Sequence, residues 1–263
     1  MATVEFVGGS RVKPKLLDLF CCAGGAAMGY AQAGFDVVGV DIKPQPRYPF
    51  QLHQMDWQEA LTVLDLSEFS VIHASPLCQA YSVTKSLSQS SAPKLIPIVR
   101  QALQEIGKPY VIENVSGAKS DLINPIKLRG NMFGLQVQRD RYFEVNPWIM
   151  SSPVVPIDGS CSSHRGKNRL YEGDGFITVT GCNFLVDEAR QAMGIDWMIG
   201  KELAQAIPPA YTRWIGEQLM NVCFGKEAVA LGGPSLTTAE EEISTQKRKR
   251  SDEPHRSPKS RKF

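Results

Sequence analysis

Four short apolar runs, each ending in a polar or reactive residue, constrain the fold of this chain more than any other feature. Lys15-Leu-Leu-Asp-Leu-Phe20 breaks into Cys-Cys-Ala-Gly-Gly and then a small-residue, helix-competent stretch to Ala33, which Gly34 ends. Val37-Val-Gly-Val40 stops at Asp41, Val71-Ile-His-Ala74 runs into Ser75-Pro76-Leu77-Cys78, and Tyr110-Val-Ile112 ends in Glu113-Asn114. Strands alternating with helical stretches, among them residues 95–106, predict an α/β fold with a doubly wound, mostly parallel sheet. Ligands bind such sheets beyond the carboxyl ends of the strands, where Asp18, Asp41, Cys78 and Glu113 all belong.

The rest of the chain completes this core and then leaves it. Residues 145–175 carry Pro147, Pro153, Pro156, two serine pairs and several glycines, and read as mostly irregular with short strands. Phe176-Ile-Thr-Val-Thr180 reads as a resumed strand. Residues 187–222 have helical apolar spacing, interrupted at Ile207-Pro-Pro209 into two helices. From Lys226 onward glycine, serine, threonine and charge predominate, which predicts a disordered tail.

Composition closes off several classes. No run approaches the length of a membrane span and no leader pattern opens the chain, so an intracellular protein is expected. The six cysteines, at 21, 22, 78, 161, 182 and 223, are unevenly spaced and read as free thiols. The net charge of +2 hides an asymmetry. Residues 246–263 hold eight lysines and arginines against Asp252 and Glu253, leaving 21 basic against 25 acidic residues before them. The tail, with Lys247-Arg-Lys-Arg250, is open to three readings: a solvated charge run, a DNA-binding arm, or a nuclear localisation signal. The last of these would place the protein in a nucleus rather than in bacterial cytoplasm.

The chemistry-bearing residues form a set. The strand, the loop Phe20-Cys-Cys-Ala-Gly-Gly25 and the helix start let backbone approach a ligand closely. Asp41, at the end of the next strand, is placed to accept hydrogen bonds from both hydroxyls of a ribose. Neither a dinucleotide fingerprint nor a phosphate loop is present, which favours a nucleoside cofactor without a polyphosphate, such as S-adenosylmethionine. Cys78 and Glu113 at adjacent strand ends pair a thiol with a carboxylic acid. The thiolate can add to an electron-poor ring carbon while the acid protonates the ring nitrogen where charge accumulates. Cys161-x-x-His164 with Cys182 lacks a fourth ligand at sensible spacing, so no metal site is expected. His73 reads as a packed, hydrogen-bonded histidine, and Trp197 and Trp214 as core.

The order of these segments resembles the DNA (cytosine-5)-methyltransferase family over roughly residues 14–222. Asp18-Leu-Phe-Cys-Cys-Ala-Gly-Gly25 resembles its cofactor loop, Asp41 its ribose-binding acid and Asp56-Trp57 the pair beside the adenine. Ser75-Pro-Leu-Cys-Gln79 resembles the catalytic loop and Glu113-Asn-Val115 the Glu-Asn-Val motif. Gly134 through Phe143, with Arg139-Asp-Arg141, is similar to the arginine motif, and Ala204-Gln-Ala-Ile-Pro-Pro209 to the closing segment that returns to the cofactor.

The resemblance implies a class I S-adenosylmethionine-dependent, Rossmann-like fold and a flipped cytosine in duplex DNA as substrate. It implies Cys78, Glu113, Arg139 and Arg141 as the catalytic residues. Arg141 should hold the base O2, and Arg139 should help fix Glu113. Cofactor contacts should come from Phe20, Ala23, Gly24 and Gly25 in the loop. Asp41, Ile42, Asp56, Trp57 and Gln205 should supply the remainder. The implied organisation is a catalytic core over 14–144, a reduced target-recognition region over 145–175, a completing strand and helices over 176–225, and a basic tail over 226–263. A monomer is expected.

The sequence also departs from the family. Cys22 replaces the first loop glycine, Leu77 the second proline before the nucleophile, Val137 a glutamine and Gln205 an asparagine. Only about thirty residues separate the arginine motif from Phe176. Arg165, Lys167, Asn168, Arg169 and Tyr171 in that stretch could touch phosphates and one or two base edges, which suggests a short or relaxed recognition sequence. In this compactness the chain resembles phage-borne methyltransferases. RNA or a free nucleotide as substrate, and an inactive DNA-binding homologue, remain open alternatives.

Overall fold

A computed structural model describes residues 6–7, 10–11, 13–81, 93–149, 176–181 and 184–225. Strands β1 (Phe6–Val7) and β2 (Ser10–Arg11) form a small antiparallel hairpin. The main sheet has seven strands. They are β3 (Lys15–Leu19), β4 (Asp36–Asp41), β5 (Gln51–Gln54), β6 (Phe69–Ala74), β7 (Tyr110–Asn114), β8 (Ile126–Leu128) and β9 (Arg141–Asn146), in the order β5-β4-β3-β6-β7-β9-β8. The first five of that order run parallel, while β9 is antiparallel to both β7 and the edge strand β8. This is the doubly wound, mostly parallel sheet that the apolar runs predict.

Period two along each central strand sorts side chains between two cores. Leu17, Leu19, Val38, Val40, Ile72 and Ile112 face one core, which α2 (Trp57–Val63) and α3 (Ile96–Ile106) cover. Leu16, Val37, Val71, Val111 and Phe143 face the other, covered by α1 (Gly25–Gln32) and α6 (Pro209–Phe224). Helix α3 shows how little is needed to define such a layer: Ile96, Val99 and Leu103 make its buried stripe, and Gly107, at φ 74°, stops it. A third cluster gathers Val137, Ile177 and Val179 with the apolar faces of α4 (Val186–Met193) and α5 (Gly200–Leu203).

Two expectations are corrected. Phe176–Thr180 is not a ladder strand: among the described residues its bridge is Val137 to Ile177, and the Val179 carbonyl is taken by the Arg139 guanidinium instead of a ladder partner. Residues 187–222 hold three helices rather than two, because Gly194, at φ 67°, ends α4 before the break at Ile207-Pro-Pro209. The irregular region beyond Ile149, Cys161, His164 and Cys182, the Arg165 to Tyr171 cluster and the tail lie outside the described residues. Among the described residues no helix is long and apolar enough to cross a membrane, and no group of His, Cys, Asp or Glu could hold a metal ion.

Helices α1 and α6 touch at backbone distance. A Cβ built on Gly29 of α1 would sit 2.1 Å from the Pro209 carbonyl oxygen and 2.1 Å from Thr212 Oγ1. Alanine at an exposed helical site gains about 1 kcal/mol over glycine. Here the overlap should outweigh that gain, and Gly29→Ala is expected to lower the unfolding free energy by about 1–3 kcal/mol in urea denaturation.

Candidate active site

The carboxyl ends of β3, β4, β6 and β7 line up along one edge of the sheet, and the cofactor loop turns over the first two. Phe20 and Cys22 take positive φ, 60° and 47°. Cys22 therefore adopts the left-handed conformation that a glycine would enter freely, and Asp41 offsets that strain by accepting the Cys22 N–H at 3.0 Å. The second Asp41 oxygen accepts the Lys43 N–H at 2.9 Å. Gly24, at φ 84°, precedes α1, and a Cβ on Gly25 would lie 2.4 Å from the Ile207 carbonyl oxygen, so this glycine lets the closing segment reach the loop.

The elements of a nucleoside site meet here. Ile42, 64% exposed, sets an apolar side chain beside the Asp41 carboxylate. Phe20 lies on Trp57, ring centroids 5.9 Å apart, and Trp57 is buried beneath it. Asp56 caps α2 by accepting from the Gln58 N–H at 2.8 Å. Gln205 arrives from the far end of the chain, its Oε1 4.0 Å from Cys22 Sγ. Ala23 is held from the same side, its carbonyl accepting from Trp197 Nε1 at 2.8 Å, which makes Trp197 a support of the loop as well as a packing residue. A carboxylate, an exposed apolar side chain and a glycine loop fit an adenosine with no phosphate to bind.

Cys78 follows β6 in a short 3-10 turn, Cys78–Ala80, and is exposed with a free thiol. Asn114 anchors the loop through the Pro76 carbonyl at 2.8 Å, and Pro76 is buried. Leu77 is 55% exposed and keeps φ −48° and ψ 122°, close to what proline would impose, so its substitution leaves the backbone course unchanged.

Glu113 is the penultimate residue of β7, buried, two positions beyond the register pair of His73 with Val111. Burial pushes its carboxyl up, opposed first by the charge of Arg141 and then by the neighbouring Ser75 hydroxyl and the charge of Arg139. Arg141 Nε lies 2.9 Å from Glu113 Oε1, outside hydrogen-bond alignment.

The expected contact with Glu113 is made by the other arginine. Arg141, not Arg139, pairs with Glu113. Arg139 is buried and gives its guanidinium to three backbone carbonyls: Ala206 at 2.6 Å, Ala204 at 2.7 Å, and Val179. Neither arginine pairs with the neighbouring acids. Asp140 is bound by Arg129 and Lys127, and Glu144 by Arg100. Val137 is fully buried, in the cluster beneath Ala206.

Sequence reasoning gave no role to Tyr30 and did not single out Ser75, whereas His73 is the packed, hydrogen-bonded histidine it expected. His73 is fully buried, with Tyr30 Oη 2.9 Å from its Nδ1 and Ser75 Oγ 2.8 Å from its Nε2. No pattern along the chain announces this row, because Tyr30 comes from α1 and the contact forms only across the sheet.

No protein-family model and no curated protein matches the sequence. Among solved structures, the chain is similar to a protein described as a candidate DNA modification methyltransferase encoded within an E. coli prophage. The identity is 15% and the TM-score 0.54, over 80% of this chain and 99% of that one. It is also similar to the S. pombe Dnmt2 methyltransferase, at 14% identity and TM-score 0.49 over 80% and 99% of the two chains. The Entamoeba histolytica methyltransferase EhMeth stands at 13% and 0.49, over 80% and 98%. The protein has the fold of the class I, Rossmann-like methyltransferases.

Asp18 carries a pH signature. Both its carboxyl oxygens are buried without a hydrogen-bond partner, and burial, then the charges of Asp41 and Glu113, hold it well above the usual carboxylate range. An acid whose folded pKa exceeds its unfolded one contributes stability that is present below the unfolded value and is lost as pH rises toward the folded value. Asp18→Asn should therefore gain more unfolding free energy at pH 7 than at pH 4, compared with the native chain in urea titrations at both values.

Proposed function

We propose that the protein transfers a methyl group from S-adenosylmethionine to C5 of cytosine in DNA, with Cys78 as the nucleophile. The observation that carries this reading is the placement of an exposed thiol and a buried, proton-prone carboxyl group at the ends of two hydrogen-bonded neighbouring strands, beside a loop suited to an adenosine. Phe20, Gly24, Asp41 and Ile42 would hold the nucleoside, with Gln205 closing over the loop. When bound, S-adenosylmethionine supplies an electrophilic methyl group.

The chain's own task is to turn C5 of the pyrimidine into a nucleophile. The Cys78 thiolate adds to C6, and the electron pair of the C5–C6 bond moves into the ring toward N3. Glu113 gives N3 a proton as that charge arrives. Once C5 is substituted, loss of its proton restores the double bond and expels the thiolate, returning Cys78. Arg141 pairs with Glu113 and would offer the base O2 a hydrogen bond.

Duplex DNA is proposed as the polymer because the prophage-encoded structure with this fold is described as a DNA modification enzyme. Methyl-labelled S-adenosylmethionine offered with unmethylated duplex DNA, transfer RNA and dCTP in parallel tests the reading. Label is expected in 5-methylcytosine of DNA. Cys78→Ala should abolish it, and Glu113→Gln should lower turnover by about 10²–10⁴-fold. Label in transfer RNA or dCTP alone would replace DNA as substrate, and no label in any of the three would overturn the activity.

A further inference from the structure

Two stretches of chain that lie far apart in sequence close on the cofactor loop. The first is the connection from β4 to β5, residues 42–50, which joins two parallel strands without a helix and carries Pro44, Pro46 and Pro49. Its Tyr48 ring lies over Gly39, where a Cβ would come within 2.4 Å of the ring, and its Pro49 lies against Gly24, where a Cβ would come within 2.8 Å of Cδ. The second is the closing segment, whose Ile207 carbonyl oxygen packs on Gly25 and whose Gln205 reaches Cys22. Two adjacent glycines, one for each stretch, allow both approaches.

The two stretches are also tied to each other. Arg47 Nε donates to both carboxylate oxygens of Glu202, at 2.8 and 3.0 Å. Glu202 Oε2 accepts the Ile199 N–H as well, at 2.9 Å, and so caps the start of α5. The Glu202 backbone carbonyl accepts from the Gln205 and Ala206 N–H groups, at 3.0 and 2.9 Å. This one residue therefore fixes the start of α5, the turn that presents Gln205, and the link to the β4–β5 connection. Arg139 and Arg190 hold the same stretch through the carbonyls of Ala204, Ala206 and Met198, whereas Arg47 holds it through a side-chain carboxylate.

Resting on the cofactor reading above, we propose that the Arg47–Glu202 ion pair is a latch. It joins the β4–β5 connection and residues 199–207 into a strap around the cofactor loop, and makes Arg47 and Glu202 positioning residues that slow the release of a bound adenosine cofactor. A single, partly exposed ion pair adds little to the stability of a whole fold. It can nevertheless set how often two stretches of chain separate, and a ligand held between them leaves when they do. Loss of the latch is therefore read as faster release.

The test follows S-adenosylhomocysteine leaving the immobilised protein by surface plasmon resonance, with no methyl transfer. Arg47→Ala and Glu202→Gln should each release it about threefold to fivefold faster than the native chain, as the loss of one partly exposed ion pair allows. Glu202→Gln keeps an acceptor for the Ile199 N–H, so it probes the latch and not the cap. The double variant should release the compound no faster than Arg47→Ala, and Arg47→Lys, which keeps the charge, more slowly than Arg47→Ala. In the cofactor-free protein, the Gln205 and Ala206 amides should exchange hydrogen faster in Arg47→Ala while the amides of β6 keep their native rate, which separates an opened strap from a general loss of stability. Unchanged release in both single variants, a double variant whose effect is the product of the two, or unchanged exchange at Gln205 and Ala206 would overturn the latch alone. A native chain that binds no S-adenosylhomocysteine would overturn the cofactor reading itself, and the latch with it.

Discussion

The buried guanidinium of Arg139 holds the closing segment, residues 204–206, against the active edge of the sheet. It gives its N–H groups to the carbonyls of Ala204, Ala206 and Val179, and its own carbonyl accepts from the Tyr211 hydroxyl at 2.8 Å. An unpaired buried charge is costly, and three oriented carbonyls with Glu113 nearby are what make it tolerable here. Because the segment 204–206 is held this way, Gln205 reaches Cys22 and the Ile207 carbonyl packs against Gly25. Helix α6 then starts where its Thr212 hydroxyl can donate to the Ala26 carbonyl at 2.9 Å. The cofactor loop is thus supported from beneath by the sheet and from above by residues nearly two hundred positions away.

The chemistry follows from strand ends held in register. Parallel pairing of β6 with β7 brings the Cys78 loop and Glu113 to one edge, and pairing of β3 with β4 brings the glycine loop and Asp41 to the same edge. The reversed strand β9 then delivers Arg141 to Glu113 from the opposite direction. One sheet so arranged separates the tasks: an exposed thiol that must meet a substrate, and a buried carboxyl group whose proton is controlled by what surrounds it.

Much of this was legible along the chain. Strands β3, β4, β6 and β7 are buried on both faces, so they appear as unbroken apolar runs whose ends can be read off directly. The edge strands β5 and β8 were not seen: Gln51–Gln54 is polar and half exposed, and Ile126–Leu128 is only three residues long. Strand β9 hid for a different reason. Its Arg141 and Glu144 look like surface charges until Glu113 and Arg100 are known to neutralise them. The same dependence on partners explains why Arg141 rather than Arg139 meets Glu113. Arg139 lies two residues before the start of β9, outside the strand's alternation, and only the packing decides which of the two arginines meets the acid. The Tyr30, His73 and Ser75 row was beyond reach, since its first member lies on a helix whose placement over β6 no local pattern fixes.

The central claim is that Cys78 forms a bond to C6 of cytosine, and that bond can be trapped. Duplex DNA carrying 5-fluorocytosine has no C5 proton to lose, so an adduct that is methylated at C5 cannot expel the thiolate. Incubated with S-adenosylmethionine, the protein should form a denaturation-resistant complex with this DNA, and peptide mass spectrometry should place the nucleotide and one added methyl group on Cys78. A native chain that methylates DNA yet yields no such complex, or one bonded through Cys22 instead, would contradict the account.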